Sequence, residues 1–172
     1  DVYKRQEVES LPAIGTPPDG ELQHHSSFIY LRYFHGPRFQ SHGGVLRGID
    51  GGVDGIALMR HQLPSTDQFA LESNGEEVLL EALPMLIEAG FQNAGLAAME
   101  SDGFSSLPIG IEWSTILRVP DAEERLRVRS IKVATEDAGV TVHDVVVVGE
   151  DDAPVLSMKG LRLKALGEVP ED

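Results

Sequence analysis

Glu88 and Gln92 stand four residues apart in Pro84-Met85-Leu86-Ile87-Glu88-Ala89-Gly90-Phe91-Gln92-Asn93-Ala94-Gly95-Leu96-Ala97-Ala98-Met99, where Asn93 is the one other polar side chain. In a helix that spacing puts a carboxyl and a carboxamide on one face, one turn apart. No Lys, Arg or His lies within the stretch to neutralise Glu88. A carboxyl among apolar groups holds its proton to higher pH, which suits it to donate that proton. The pair offers acid–base or carbonyl-polarising chemistry and no nucleophile. It is also half of an acid–base couple, and spacing alone supplies no other half. The plainer reading makes Glu88 and Gln92 the wet side of a half-buried helix. His35, beside Gly36-Pro37, reads either as a site residue or as a structural histidine at a turn capped by core aromatics.

Other chemistries find little support. The histidines at 24, 25, 35, 42, 61 and 143 show no metal-binding spacing, so no metal is expected. Ser26 and Ser27 sit in no G-x-S-x-G elbow, and Asp50-Gly51-Gly52 lacks the Lys and Ser/Thr of a phosphate loop. The absence of cysteine excludes a disulfide scaffold, a thiolate metal site and a cysteine nucleophile, and fits a reducing compartment. A net charge of −14, from 28 acids and 14 bases, argues against nucleic acid as a partner. Arg125, Arg127 and Arg129 alternate, so on a strand they share one face, to be read as a docking stripe for an acidic partner or as a solvated face. No apolar run is long enough to cross a membrane and no leader pattern opens the chain, so the expected location is cytoplasmic.

A helix apolar on every side belongs in the middle of a domain. Pro84 suits its first position, where the missing N–H costs nothing. Gly90 and Gly95 each weaken a helix by roughly 1 kcal/mol relative to Ala, which implies that something packs closely against them. Ahead of the helix, the aromatic-rich run from Ser27 to Gln40 turns at Gly36-Pro37 and is expected to form a short helical turn through Arg38 to Gln40. Val45–Ile49 and Val53–Met59 read as strands of a hairpin joined through Asp50-Gly51-Gly52. His61 to Gly75 reads as a polar loop, and Glu76 to Ala82 as an extra turn of helix or a strand. After the helix, Leu107–Val119, Arg125–Thr135, Val140–Val148 and Pro154–Leu166 read as antiparallel strands. Residues 1–25 read as a linker, 26–167 as the domain and 168–172 as an acidic tail. The opening Asp1 to Gln6 is similar to adaptor-derived tails on truncated reading frames, which implies a protein beginning further upstream. The order of elements describes an α+β domain, a curved sheet wrapped around a central helix, which is a hot-dog fold.

Four stretches, in order, resemble one family. Tyr33-Phe34-His35-Gly36-Pro37-Arg38-Phe39-Gln40 is similar to the Y-G-P-x-F-Q region of dehydratase domains in polyketide synthases and related polyunsaturated fatty acid synthases. Leu86-Ile87-Glu88-Ala89-Gly90-Phe91-Gln92 resembles their L-L-D-x-x-x-Q/H motif, with Glu for Asp. Leu107-Pro108-Ile109-Gly110-Ile111-Glu112 resembles L-P-x-x-I-E, and Val155 to Leu163 resembles the last strand. Those dehydratases are double hot dogs, and these motifs resemble the second, C-terminal one. The catalytic histidine of the first lies in H-x-x-x-G-x-x-x-x-P, and none of the six histidines here has Gly four residues on.

The resemblance implies removal of water from a 3-hydroxyacyl chain carried on the phosphopantetheine arm of an acyl carrier protein, with no other cofactor. Glu88 would protonate the departing hydroxyl, and Gln92 would orient that carboxyl or the hydroxyl. His35, Gly36, Pro37, Phe39 and Phe91 would line the substrate pocket, and Arg125, Arg127 and Arg129 would dock the carrier. His35 replaces the family's usual Tyr. The partners implied are the N-terminal hot-dog half of the same dehydratase and the carrier protein, and the chain by itself would be inactive. Two alternatives stand beside this: a degenerate dehydratase-like domain that holds the assembly together or docks carrier, and a single hot-dog thioesterase acting as a homodimer, with Glu88 activating water.

Overall fold

The computed structural model describes residues 15–33, 35–36, 39–58, 75–121, 124–137 and 139–168. In chain order the elements are β1 (His24–His25), α1 (Ser26–Tyr30), β2 (His42–Ile49), β3 (Gly52–Ala57), α2 (Gly75–Asp102), β4 (Phe104–Gly110), β5 (Trp113–Ile116), β6 (Leu126–Glu136), β7 (Val140–Val148) and β8 (Pro154–Glu168). The sheet runs β1-β2-β3-β6-β7-β8-β4, antiparallel throughout, with β5 also paired to β8. It curls around α2 in the hot-dog arrangement that the order of elements implies.

Local chemistry sets these elements. The β2–β3 hairpin turns at Asp50-Gly51, where Gly51 takes φ +68, a conformation open to glycine without strain. On β6 the alternation is strict: Leu126 and Val128 join the core beneath the sheet while Arg127 and Arg129 lie on the other face. The valines of β7 are buried on both faces, as β-branched residues in a central strand should be. Opposite them Gly160 has φ +65, the pairing of β7 with β8 shifts register, and the Gly160 N–H donates to Asp144 Oδ1 at 3.0 Å. A bulge of this kind bends a strand, which helps the sheet close over the helix.

The core sits between α2 and the inner face of the sheet. Leu86, Ala89, Ala94 and Ala97 are fully buried on the helix, against Leu126, Val128, Val145, Leu156, Met158 and others from the strands. Truncating a side chain such as Leu86 to Ala costs about 2–5 kcal/mol. The helix glycines answer to this packing. A Cβ at Gly90 would lie 2.8 Å from Met158 Cε, and one at Gly95 would overlap the Tyr33 hydroxyl.

Several boundaries differ from the sequence reading. The central helix begins at Gly75, so Pro84 lies inside it and is not its first residue. The residues from Glu76 to Leu83 are mostly good helix formers, and their summed preference outweighs one missing hydrogen bond. The strand expected over Leu107–Val119 is two strands, β4 and β5, both laid along β8. Pro108 is tolerated because β4 is the edge of the sheet. The helix α1 replaces what read as plain aromatic-rich chain.

The described part of the expected linker is docked. Pro17 is buried, its carbonyl accepts from Arg127 Nη1 at 2.9 Å, and the Gln23 N–H donates to Val45 O. The last strand reaches Glu168, one residue past the expected domain end. Expectations for residues 1–14, for Pro37 and Arg38, for Met59 at the end of the expected strand, for 61–74 of the polar loop, and for 169–172 lie outside the described residues.

Candidate active site

α2 presents Glu88 to a cleft of about 160 Å³, lined also by Tyr33, His35, Phe91, Leu107 and Leu163. His35 Nε2 lies 2.9 Å from Glu88 Oε1, with the two side chains 19% and 24% exposed. Gln92 Nε2 donates to the same carboxylate oxygen at 2.9 Å. The expectation of a carboxyl isolated among apolar groups is therefore corrected: Oε1 meets two nitrogens, one of them on a histidine delivered from the loop after α1.

Contacts with neighbouring rings and backbone place the His35 ring. The His35 imidazole meets Tyr33 edge-on at 5.3 Å and Tyr30 at 6.5 Å. Gln40 Nε2 donates to the His35 carbonyl at 3.2 Å, and the Phe39 N–H donates to the Gly36 carbonyl at 2.9 Å. A turn thus opens at Gly36.

Gln92 is 2% exposed, and each polar atom of its side chain has a partner. Its Oε1 accepts from the Tyr30 hydroxyl at 2.6 Å, and its Nε2 donates to the Phe39 carbonyl as well as to Glu88. The Tyr33 hydroxyl donates to the Gln92 backbone carbonyl at 2.9 Å, and the Tyr30 oxygen accepts from the His42 N–H at 2.8 Å. Burial raises both tyrosine pKa values far above the ordinary phenol range, so both hydroxyls keep the protons they donate.

The next residue faces the other way. Asn93 Oδ1 meets His42 Nε2 at 2.8 Å, and Asn93 Nδ2 donates to the Val53 carbonyl and to Ser130 Oγ at 3.0 and 2.8 Å. The Gly44 N–H donates to His42 Nδ1, so the proton of this ring is on Nε2, facing the Asn93 oxygen. His42 is wholly buried, and burial lowers its pKa to about 4, so it is neutral at physiological pH.

The structure thus brings together Glu88, Gln92, His35 and Phe91 among the sequence candidates. Gly36 and Phe39 are not among the residues lining the cleft; Phe39 takes part through its backbone carbonyl. Pro37 lies outside the described residues. Tyr30, Tyr33 and His42 went unnoticed as polar partners. The available signal was that a buried tyrosine hydroxyl almost always has a hydrogen-bond partner. Among the described residues no group of three potential ligands could hold a metal, and no helix is long and apolar enough to cross a membrane.

The basic stripe on β6 is engaged within the chain. Arg125 pairs with Asp19 at 2.7 Å and donates to the Gly20 carbonyl. Arg127 is buried, donating to Pro17, Gly149 and Asp152. Arg129 grips the buried Asp54 through two nitrogens, at 2.7 and 2.9 Å. Of the three, Arg125 alone is exposed, because residues 15–20 and the acids of neighbouring turns occupy much of that face.

The model of the polyketide synthase dehydratase N-terminal domain matches residues 22–172. This overturns the assignment of the chain to the second, C-terminal hot dog, which rested on the four motif resemblances as well as on the missing histidine motif. Among solved structures, the chain is similar to a trans-AT PKS dehydratase domain from Brevibacillus brevis, at 21% identity and TM-score 0.61, over 86% of this chain and 50% of that one. It is also similar to a variant of the PpsC dehydratase domain from Mycobacterium tuberculosis, at 19% identity and TM-score 0.62, over 91% and 55%. A hypothetical thioesterase with coenzyme A from Streptococcus pneumoniae matches at 13% identity and TM-score 0.58, over 84% and 98%. At these identities the likeness shows the fold. The chain spans about half of those dehydratase domains and nearly all of that single-hot-dog protein. No curated protein matches it.

Proposed function

We propose a reaction from one premise: the chain belongs to the polyketide synthase dehydratase N-terminal domain family. The reaction is the removal of water from a 3-hydroxyacyl thioester to give the 2-enoyl thioester, with the acyl chain carried on the phosphopantetheine arm of an acyl carrier protein in the cytoplasm. The observation that carries it is the 2.9 Å approach of His35 Nε2 to Glu88 Oε1 at the cleft. The substrate needs a base at C2 and an acid at the neighbouring C3 oxygen, and two groups this close can serve both atoms.

In this reading His35 takes the C2 proton on Nε2. Glu88 gives its proton to the 3-hydroxyl, the C3–O bond breaks, and water leaves. Imidazolium and carboxylate remain, and the proton passes back from Nε2 to the carboxylate, restoring the starting pair. Gln92, bonded to Oε1, holds the acid while this happens. The expectation that the catalytic histidine lies outside this chain rested on the absence of H-x-x-x-G-x-x-x-x-P; that motif is absent, and in this reading His35 serves without it.

The cleft on this chain is about 160 Å³, below the roughly 300–1,000 Å³ usual for a small-molecule site. A second hot-dog half would supply the rest, consistent with a chain that spans about half of the dehydratase domains it matches. The same pair could instead direct water at a thioester, so the test reads both products. The intact polypeptide is incubated with a 3-hydroxyacyl carrier protein, and the acyl group is followed by mass. Loss of water that His35→Asn and Glu88→Gln each abolish supports the dehydratase. Free acid supports a thioesterase, and no turnover supports a structural domain. Full dehydration by the His35→Asn variant removes the histidine from the mechanism.

A further inference from the structure

We propose that Tyr30 is a positioning residue for the acid: its hydroxyl fixes which way the Gln92 amide faces and thereby where Glu88 Oε1 is held. As far as catalysis is concerned, this rests on the dehydratase reading. The hydrogen-bond arithmetic is closed. The Tyr30 oxygen accepts from the His42 N–H, so its single proton is available, and it points at Gln92 Oε1 across 2.6 Å. With the amide oxygen committed there, the amide nitrogen must face the other side. Its two hydrogens then meet the two acceptors waiting there, the Phe39 carbonyl and Glu88 Oε1.

The reversed amide would set its oxygen against both of those acceptors and its nitrogen against the Tyr30 proton. Gln92 is too deeply buried for water to correct such a mismatch. Burial also raises the Tyr30 pKa well above the ordinary phenol value, so the hydroxyl keeps its proton at physiological pH. The Tyr33 hydroxyl holds the Gln92 backbone carbonyl at 2.9 Å, which fixes the residue, whereas Tyr30 fixes its side chain. Among the described residues the hydrogen bonds of Tyr30 reach Glu88 through Gln92, and its ring, which Tyr30→Phe keeps, lies edge-on to His35 at 6.5 Å.

The test is Tyr30→Phe in the intact polypeptide, read in two independent ways. First, with ¹⁵N-labelled protein, the Gln92 side-chain amide protons are expected to be slow to exchange in the parent and clearly faster in the variant. This reading needs no turnover, so it decides the Tyr30–Gln92 link even if the dehydratase reading fails. Second, kcat for dehydration should fall about tenfold, the equivalent of one hydrogen bond, with KM within twofold. The loss should vanish when Tyr30→Phe is added to Gln92→Ala, because the residue through which Tyr30 acts is then gone.

A purely structural role would lower thermal stability in both backgrounds and multiply the two losses in kcat. That multiplication, an unchanged Gln92 amide signal, or full kcat in Tyr30→Phe each overturns the proposal. Should Tyr30→Phe not fold, a fluorotyrosine at position 30 keeps the shape and alters only donor strength. Shifted Gln92 amide resonances then support the link, and unshifted ones overturn it.

Discussion

Gln92 and Asn93 are neighbours on one helix, both buried amides, each with a histidine in its network, and they do opposite things. From Gln92 the hydrogen bonds run outward through Glu88 to His35, and end at a partly exposed pair on a cleft. From Asn93 they run inward to His42, Val53 and Ser130, and end in the core. A missing side chain makes the inner network possible, since a Cβ at Gly55 would lie 2.5 Å from His42 Cε1 and 2.9 Å from Asn93 Oδ1. Residue type does not separate a site from a scaffold here. What separates them is whether the chain of donors and acceptors terminates on a group that a substrate can reach.

Glu88→Gln should cost the most: about 10²–10⁴-fold in turnover with the fold intact, measured as kcat beside a melting curve. A variant that keeps its turnover would collapse the distinction between the two networks. Asn93→Ala should reverse the pattern, destabilising by about 3 kcal/mol in urea unfolding, because it strands His42 Nε2–H, Ser130 and the Val53 carbonyl together.

A pH series sharpens the inner side. His42 and His143 both have pKa values lowered to about 4 by burial, below the roughly 6.5 of the unfolded chain. The unfolded state therefore takes up protons first as pH falls. Stability is full above about pH 6.5 and declines toward pH 4, by about 3 kcal/mol per histidine. Equal stability at pH 7 and pH 4.5 would contradict their neutral burial.

The smallest effect lies outside both networks. Arg125→Ala, which removes an exposed pair with Asp19, should change stability by less than about 1 kcal/mol and leave carrier-dependent turnover unchanged. A large rise in KM for the carrier would instead support a docking role for that face.

Elements fixed by local rules could be read from the chain. The hairpin at Asp50-Gly51, the valine strand and the buried helix each follow from periodicity or turn chemistry, and the four-residue spacing of Glu88 and Gln92 placed both on one face. The failures were tertiary. The helix start was misplaced because Pro84 was weighed without the strong helix formers preceding it. His35 was named as a candidate, but its contact with Glu88 was not foreseen, because no spacing rule links a loop after one helix to the middle of another. No histidine here has Gly four residues on, and it is a turn and two tyrosine rings that place His35. Tyr30 passed unremarked within the aromatic-rich run, and its hydroxyl went uncounted.

Gly95 carries a consequence for relatives of this chain. The notch it leaves is filled by the Tyr33 hydroxyl, which in turn holds the Gln92 carbonyl. Substitutions at the two positions are therefore not independent events. Ala or Ser at the position of Gly95 is compatible with this backbone only where the position of Tyr33 has lost its hydroxyl, and Phe is the least disruptive way to lose it. Across an alignment the two columns should covary, Gly with Tyr and a larger residue with Phe. A lineage crossing from one combination to the other must pass through either a clash or an empty notch, and the empty notch, Gly with Phe, is the milder intermediate.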